Sequence, residues 1–538
     1  MLRLLFAVLL FCQDPLHTVQ ILAGDKPRQT NTHSSPPNIL LILADDLGYG
    51  DVGCYNDQSR VPTPHLDRLA REGLRFTDAH SPATVCTPTR YSLLTGQMAF
   101  RVKNGGTVFT GVGGPSLITA GRLTLPQILR DKGYATACVG KWHVGLTFYD
   151  QKGLPIRDNG LDAVRKVDFT RRIDGGPLDH GFQSFFGTAC CPTTDWLYAF
   201  IEQDRIPEAP SAVIDKTRLP THPYANDCRA GLIAPNFPME EVDLRFLQRS
   251  LEFLDRHVQQ SPAQPFFLFH SAQAVHLPSF AAPQFQGKTE AGPHGDFVHQ
   301  FDWIVGQLLN RLETLGIADN TLVIVTSDNG PEVTSVVHMR QDFHHDPARP
   351  WRGMKRDAWE GGHRVPFLVR WPASGNGETS GIRPGTTCSQ LISLTDVMAT
   401  AAEIVGTQLP DNAAEDSFSL LPCLRDPSVA PIRPYLLQQA FAGVRTLSIR
   451  RGEWKYIDHA GSGGNRYDRD PSLQIYQKPE SAPNAIAQLY NLKTDPQEEN
   501  NLIEQYPKLA AELKHLLETS KMTGRSRSRN GKVPPAAQ

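Results

Sequence analysis

The chain has 538 residues and a formal net charge of −2, from 54 Lys and Arg against 56 Asp and Glu. That balance leaves no basic footprint for nucleic acid, and no apolar run reaches the roughly 20 residues of a membrane span, so neither nucleic acid nor stable membrane insertion is expected. The length allows one large domain plus a smaller one, and 42 Pro with 43 Gly predict many loops on a globular frame.

Residues 1–24 read as a signal peptide. Arg3 precedes the short apolar run Leu4 to Phe11, and Ile21-Leu22-Ala23-Gly24 offers small residues for cleavage. Export to a periplasmic, secreted or lysosome-like compartment follows. Nine cysteines show no zinc spacing. Adjacent Cys190 and Cys191 read as ordinary buried thiols.

Asn38 to Leu43 is a short apolar run, the mark of a strand buried on both faces. It ends in Asp45 and Asp46, where open α/β sheets bind ligands. His65 to Gly73 predicts an amphipathic helix and Leu74 to Thr77 a brief strand. Cys86-Thr87-Pro88-Thr89-Arg90 then opens a helix that Gly96 stops. Cys86 and Arg90 share one face of that helix, at an end that favours anions. A thiol, a guanidinium and a helix N-terminus together suit a tetrahedral oxyanion ester.

Leu125 to Lys132 predicts a helix and Tyr134 to Val139 a strand, which leads into Lys141 and His143. These two lie on one side of an extended segment. Leu146 to Ile206 is rich in loops. Glu240 to His257 carries a helical stripe of Val242, Phe246, Leu247, Leu251 and Leu254. Pro265 to Phe269 is a strand, followed by His270, which reads as structural, and by His276. Asp296 to Leu315 is a further helix.

Thr321 to Val325 repeats the first strand's character and ends in Asp328 and Asn329. With Asp45 and Asp46 they form an all-oxygen set for a hard divalent cation, calcium first and magnesium second. Lys355 and the run Glu360 to Arg364 precede a strand from Val365 to Trp371, and Leu391 to Val405 reads as a helix. Past Gln408 the character shifts. Val444 to Ile449 and Trp454 to Ile457 read as an antiparallel pair, Pro507 to Leu517 as a last helix, and the Arg- and Ser-rich tail from Thr523 as disordered.

Cys86-x-Pro88-x-Arg90 with Leu93-Leu94-Thr95-Gly96 resembles the signature of type I, formylglycine-dependent sulfatases, arylsulfatase-like members of the alkaline phosphatase superfamily. The other motifs follow in the same order from Asn38 to Leu502. The resemblance implies an α/β fold, with a large mixed sheet flanked by helices and a smaller C-terminal α+β domain. It places the catalytic domain at 37–407, the C-terminal subdomain at 408–522 and a tail at 523–538.

It further implies that Cys86 is oxidised to formylglycine by a formylglycine-generating enzyme, and that Asp45, Asp46, Asp328, Asn329 and modified Cys86 bind the cation. Arg90 and Lys141 anchor the group at 86 and the sulfate. His143 moves a proton there, and His276 or Lys355 protonates the leaving alcohol; Lys141, His276 and Lys355 also bind substrate. Cys191 stands where many sulfatases carry Ser or His, a departure from the pattern. The expected substrate is a sulfated carbohydrate, with an aryl sulfate as the lesser choice. A phosphonate or phosphate ester hydrolase of the same superfamily and a non-catalytic sulfated-glycan binder are the alternatives.

Overall fold

The computed structural model describes residues 36–372, 381–441 and 446–528; the signal-peptide segment lies outside them. Nine strands among these residues form the main sheet. They are β1 (Asn38–Ala44), β2 (Leu74–Phe76), β3 (Ala135–Lys141), β4 (Ser184–Thr188), β5 (Ile201–Glu202), β6 (Phe266–Ser271), β7 (Thr321–Ser327), β8 (Phe367–Arg370) and β9 (Thr386–Cys388). Their spatial order is β9-β2-β8-β7-β1-β6-β3-β4-β5. The central run β7-β1-β6-β3-β4 is parallel, and β8 and β5 run antiparallel to their neighbours.

Every residue of β1, β6 and β7 is buried. This fits their unbroken apolar runs, because a parallel strand is covered on both faces. The cover is two groups of helices. α1 (Pro64–Glu72) and α4 (Val242–Gln260) contact α5 (Gly292–Thr314), while α2 (Cys86–Thr95), α3 (Leu125–Asp131) and α6 (Asp396–Ile404) contact one another. The predicted stripe on α4 faces inward, with Val242, Phe246 and Leu254 almost wholly buried.

Register fixes where the functional residues land. Ala44 pairs with Ser327, so β1 and β7 end level, and Asp45 and Asp328 are the next residues. Gly140 pairs with Ser271, which brings Lys141 to the same edge from β3. Gly140 has φ of +116°, and a Cβ there would stand 1.8 Å from the Ser271 carbonyl oxygen. Only glycine fits that approach.

The smaller antiparallel sheet is β10 (Leu436–Ala440), β11 (Thr446–Arg451), β12 (Trp454–Ile457) and β13 (Gln488–Asn491), covered by α7 (Pro507–Thr523). Three expectations shift. Leu391 to Val405 splits into a two-residue strand at Ile392–Ser393 and α6, because the Asp396 carboxylate accepts the Ser393 N–H at 2.8 Å and holds the backbone out of helix. The helix expected from Asp296 begins at Gly292, because the Asp296 carboxylate takes the N–H groups of Gly287, Lys288 and Thr289 in the preceding loop. The segment after α7 is also held at its start: Ser526 and Arg527 donate their N–H groups to the Glu415 carbonyl. The disorder expected from Thr523 therefore does not extend over these residues; 529–538 lie outside the description.

A buried ion network joins the two sheets. Asp78 lies 2.9 Å from Arg364 and 2.7 Å from Arg450 of β11. Lys455 of β12 lies 3.0 Å from Glu360 and 2.8 Å from Glu498. Burial pushes the Asp78 and Glu360 carboxyls up, but the arginines around Asp78 and Lys455 beside Glu360 outweigh it and hold both below the usual range. Their contribution to stability is therefore complete above the unfolded values of about 4 and is lost as pH falls through the lowered folded values. Lys455→Met leaves buried Glu498 without the cation at 2.8 Å and Glu360 with only its arginine partners, so urea unfolding at neutral pH should show a loss of about 3–5 kcal/mol. A loss under about 0.5 kcal/mol, the scale of an inconsequential surface change, would refute the role given to this network.

Candidate active site

Three buried carboxylates meet at the C-terminal edge of β1 and β7. Asp45, Asp46 and Asp328 have no exposed surface. Asp46 has φ of +65°, a left-handed conformation that Asp tolerates better than most residues, and its N–H donates to Asp328 Oδ1 at 3.2 Å. The Asn329 amide donates to Asp46 Oδ1 at 2.7 Å. Like charges this close need cations.

The cations come from three other segments. Lys141 Nζ donates to Asp45 Oδ2. Lys355 Nζ lies 2.7 Å from Asp46 Oδ2 and 3.3 Å from Glu332. Arg90 sets Nε and Nη2 on Asp328 Oδ2 at 2.9 and 2.8 Å, and Nη1 on Ser271 Oγ at 2.5 Å and the Lys141 carbonyl at 3.1 Å. Burial raises the Asp45 carboxyl, yet Lys141, His276 and Arg90 bring it below the usual range. Burial raises Asp46 to about 7 against the pull of Lys355, and burial plus the Asp45 charge raise Asp328 well above the normal value.

Cys86 is the first residue of α2. Val85 before it is extended, and Gly96 closes the helix at φ of +63° with its N–H on the Ser92 carbonyl. Both ends match the sequence reading. Cys86, Asp45 and Asp328 each bring an atom within 4.8 Å of the other two. A hydrogen bond from Cys191, with His143 and Lys141 nearby, holds the Cys86 thiol well below its ordinary value despite burial.

His143 has φ of +56°, which costs a β-carbon residue about 1–2 kcal/mol. Its Nε2–H donates to the Phe109 carbonyl at 2.6 Å, so Nδ1 carries the lone pair. His276 is the reverse: Nδ1–H donates to the Leu277 carbonyl at 2.6 Å, leaving Nε2 3.8 Å from Asp46 Oδ2. Cys191 Sγ sits between the rings, 4.0 Å from His143 Nδ1 and 3.7 Å from His276 Nε2. Burial, then Lys355, lowers His276 to about 4. His270 is turned away and pairs with Ser250 of α4 at 2.8 Å, as its structural reading requires.

The oxygen set fits a hard cation. Asp45 Oδ1 and Asn329 Oδ1 are buried with no hydrogen-bond partner among the described residues. An orphaned carboxylate oxygen and an orphaned amide oxygen beside two further carboxylates are donors suited to calcium or magnesium. A second buried cluster, His80, Glu360 and His363, already holds Lys455 Nζ 3.0 Å from both Glu360 and His363.

The candidate catalytic and metal-ligating residues Asp45, Asp46, Cys86, Arg90, Lys141, His143, His276, Asp328, Asn329 and Lys355 come together here. Three were missed. Glu332 holds Lys355 and Arg356, Ser271 holds Arg90, and Asp195 accepts the Cys191 N–H at 3.1 Å and pairs with Arg229 at 2.7 Å. Of these, Ser271 carried a readable signal, as the last residue of a buried strand that ends at the ligand edge.

A model of the sulfatase family matches residues 37–407. The N-acetylgalactosamine-6-O-sulfatase of Bacteroides thetaiotaomicron is 32% identical over 92% of this chain and 95% of its own length. Bovine arylsulfatase A is 32% identical over 89% of this chain and 86% of its own. A solved structure reported under glycosaminoglycan metabolism in Bacteroides thetaiotaomicron aligns with a TM-score of 0.74 at 30% identity, covering 91% of this chain and all of that one. A solved Pseudoalteromonas sulfatase, with a TM-score of 0.66 at 24% identity over 91% of each chain, shares the fold. The chain belongs to the sulfatase family, with the alkaline-phosphatase-like α/β fold, and is an enzyme that hydrolyses sulfate esters.

Proposed function

We propose that the substrate is a sulfated carbohydrate, attacked by a formylglycine made from Cys86 beside a calcium ion held by Asp45, Asp46, Asp328 and Asn329. The observation that carries this reading is Cys86 at a buried helix N-terminus, next to orphaned oxygens and three cationic side chains. When present, the aldehyde hydrate supplies an ionisable hydroxyl and the cation neutralises charge on the sulfate oxygens. A formylglycine-generating enzyme is the maturation partner. The leader at 1–24 directs export. The carbohydrate reading draws on the N-acetylgalactosamine-6-O-sulfatase relative.

The chain's own residues divide the remaining work. Arg90 lies one helical turn from Cys86 and is fixed by Asp328, Ser271 and a carbonyl, so it orients the group at position 86 without moving. Lys141 and Lys355 bring fixed positive charge to the sulfate. His143 Nδ1 accepts a proton at position 86, since Nε2–H is committed to Phe109. Lys355 is a poor donor because Asp46 and Glu332 hold its proton firmly. His276 Nε2 is therefore the group that protonates the leaving alcohol.

Three measurements test this. The tryptic peptide from Phe76 to Arg90 of protein from its natural source should carry the aldehyde mass in place of the thiol, and an unmodified cysteine there would remove the nucleophile. Cys86→Ala should abolish turnover of a sulfated saccharide; near-normal rates would sink the assignment, and equal turnover of a phosphodiester by the parent enzyme would move the chain to the phosphate alternative.

The pH profile decides the acid. The value of about 4 for His276 means its protonated fraction in the free enzyme falls as pH rises above that. With a poor alkyl leaving group, kcat/KM should therefore decline about tenfold per unit above that value, and His276→Ala should remove this limb while costing about 10²–10⁴-fold in rate. A profile flat into the alkaline range would instead assign the proton to Lys355. An activated aryl sulfate should be nearly indifferent to His276.

A further inference from the structure

The roles assigned above leave the thiols of Cys190 and Cys191 unused, yet both lie close to His143. His143, Cys190 and Asp195 each bring a ligand atom within 4.8 Å of the other two, and all three are buried. Cys191 Sγ is beside the same ring, 4.0 Å from His143 Nδ1. We propose that these side chains form a second metal site, distinct from the all-oxygen set, which takes a thiophilic divalent ion of the zinc type and thereby inhibits the enzyme.

The donor chemistry supports this. One sulfur, one imidazole nitrogen and one carboxylate oxygen, with a second thiol beside the imidazole, suit a borderline-soft ion, whereas the oxygen set at Asp45, Asp46, Asp328 and Asn329 suits a hard one. Zinc bonds of about 2.0–2.3 Å at tetrahedral angles place donor atoms about 3.3–3.8 Å apart. The donor atoms of His143, Cys190 and Asp195, within 4.8 Å of one another, close to that with side-chain movements of about 1–1.5 Å at most.

The outer partners are also in place. His143 donates Nε2–H to the Phe109 carbonyl at 2.6 Å, Asp195 is held by Arg229 at 2.7 Å and by the Cys191 N–H at 3.1 Å, and Cys190 Sγ lies 3.6 Å from the Gly111 carbonyl. A carbonyl behind the distal nitrogen of a ligating histidine is the usual support for such a ligand. Metal binding displaces the thiol protons, and Lys141 and Arg229 offset the negative charge that results.

Inhibition rests on the proton-accepting role given to His143 above; binding does not. The first test uses the full chain carrying Cys86→Ala, which removes the third thiol, in excess calcium so that the oxygen set is filled. Dialysis against zinc should leave one zinc per chain, and cadmium in its place should give a thiolate charge-transfer absorption. Cys190→Ser, which keeps a donor for the Gly111 carbonyl, should weaken zinc binding at least tenfold, as should Asp195→Asn, with calcium content unchanged.

No bound zinc, cadmium bound without the thiolate band, or equal binding by both variants would overturn the site. In the mature enzyme, zinc should inhibit and a chelator should restore turnover, and Cys190→Ser should need at least tenfold more zinc. Binding with the thiolate signature but without inhibition would keep the metal ligands and overturn both the inhibitory half of the proposal and the role of His143.

Discussion

Three carboxylates without exposed surface stand at the end of two level strands, and the rest of the architecture answers that charge. Asp45 and Asp328 are forced together by the register of β1 and β7, and Asp46 is pulled in by its own N–H on Asp328. In a dry interior such a cluster ionises only where cations oppose it. Lys141 arrives on β3, Arg90 on α2 and Lys355 on a loop beyond β7, each tied to a different member of the trio. The elements that build the sheet edge are thus the elements that neutralise it. The same charge balance supports the proposed divalent cation and an anionic sulfate ester at this edge.

The C-terminal sheet has a part in this that its distance along the chain hides. Lys355 belongs to a loop whose continuation carries Glu360 and Arg364. These are bound by Lys455 of β12 and, through Asp78, by Arg450 of β11. His363 Nδ1 in the same loop lies 3.0 Å from His80 Nδ1, and His80 Nε2 lies 2.8 Å from Asp78. A chain of hydrogen bonds therefore runs from Lys455 through both imidazoles to Asp78. Buried networks of this kind are costly unless every member is satisfied, and they then specify one arrangement. The small sheet acts on chemistry by fixing the loop that aims Lys355.

The sequence was most legible where local pattern and chemistry coincide. Unbroken apolar runs at Asn38 and Thr321, each ending in acidic residues, announced both the parallel core and the ligand edge. Pro88 and Gly96 marked the two ends of the Cys86 helix. The distant motifs could be joined only through the family resemblance, because nothing local says that Lys355 will reach Asp46 or that Arg90 will reach Asp328. Glu332 and Asp195 stayed hidden for the same reason: each is a single acidic residue in a loop, and its meaning comes from a partner brought in by tertiary packing. The helix starts expected at Asp296 and Leu391 shift because the Asp296 and Asp396 carboxylates hold N–H groups of the preceding loop or strand, contacts that no local pattern announces. The compositional reading began the tail at Thr523 because Arg and Ser say nothing of Ser526 docking on Glu415.

His143 shows why a residue at such a site tolerates strain. Its left-handed backbone is disfavoured by about 1–2 kcal/mol for a side chain with a β-carbon, and glycine would relieve that at once. The conformation persists because it turns Nε2 onto the Phe109 carbonyl and Nδ1 back toward position 86 and Cys191. A relaxed backbone would release the ring from one of those two contacts. Fixing the tautomer matters more than the strain, since a proton acceptor with the wrong nitrogen protonated is no acceptor. The same fixed lone pair faces Cys191, and Cys190 and Asp195 each bring a ligand atom within 4.8 Å of the ring, the setting of the proposed soft-metal site. The proposed proton transfer and metal capture then draw on one constraint, the fixed orientation of the His143 ring.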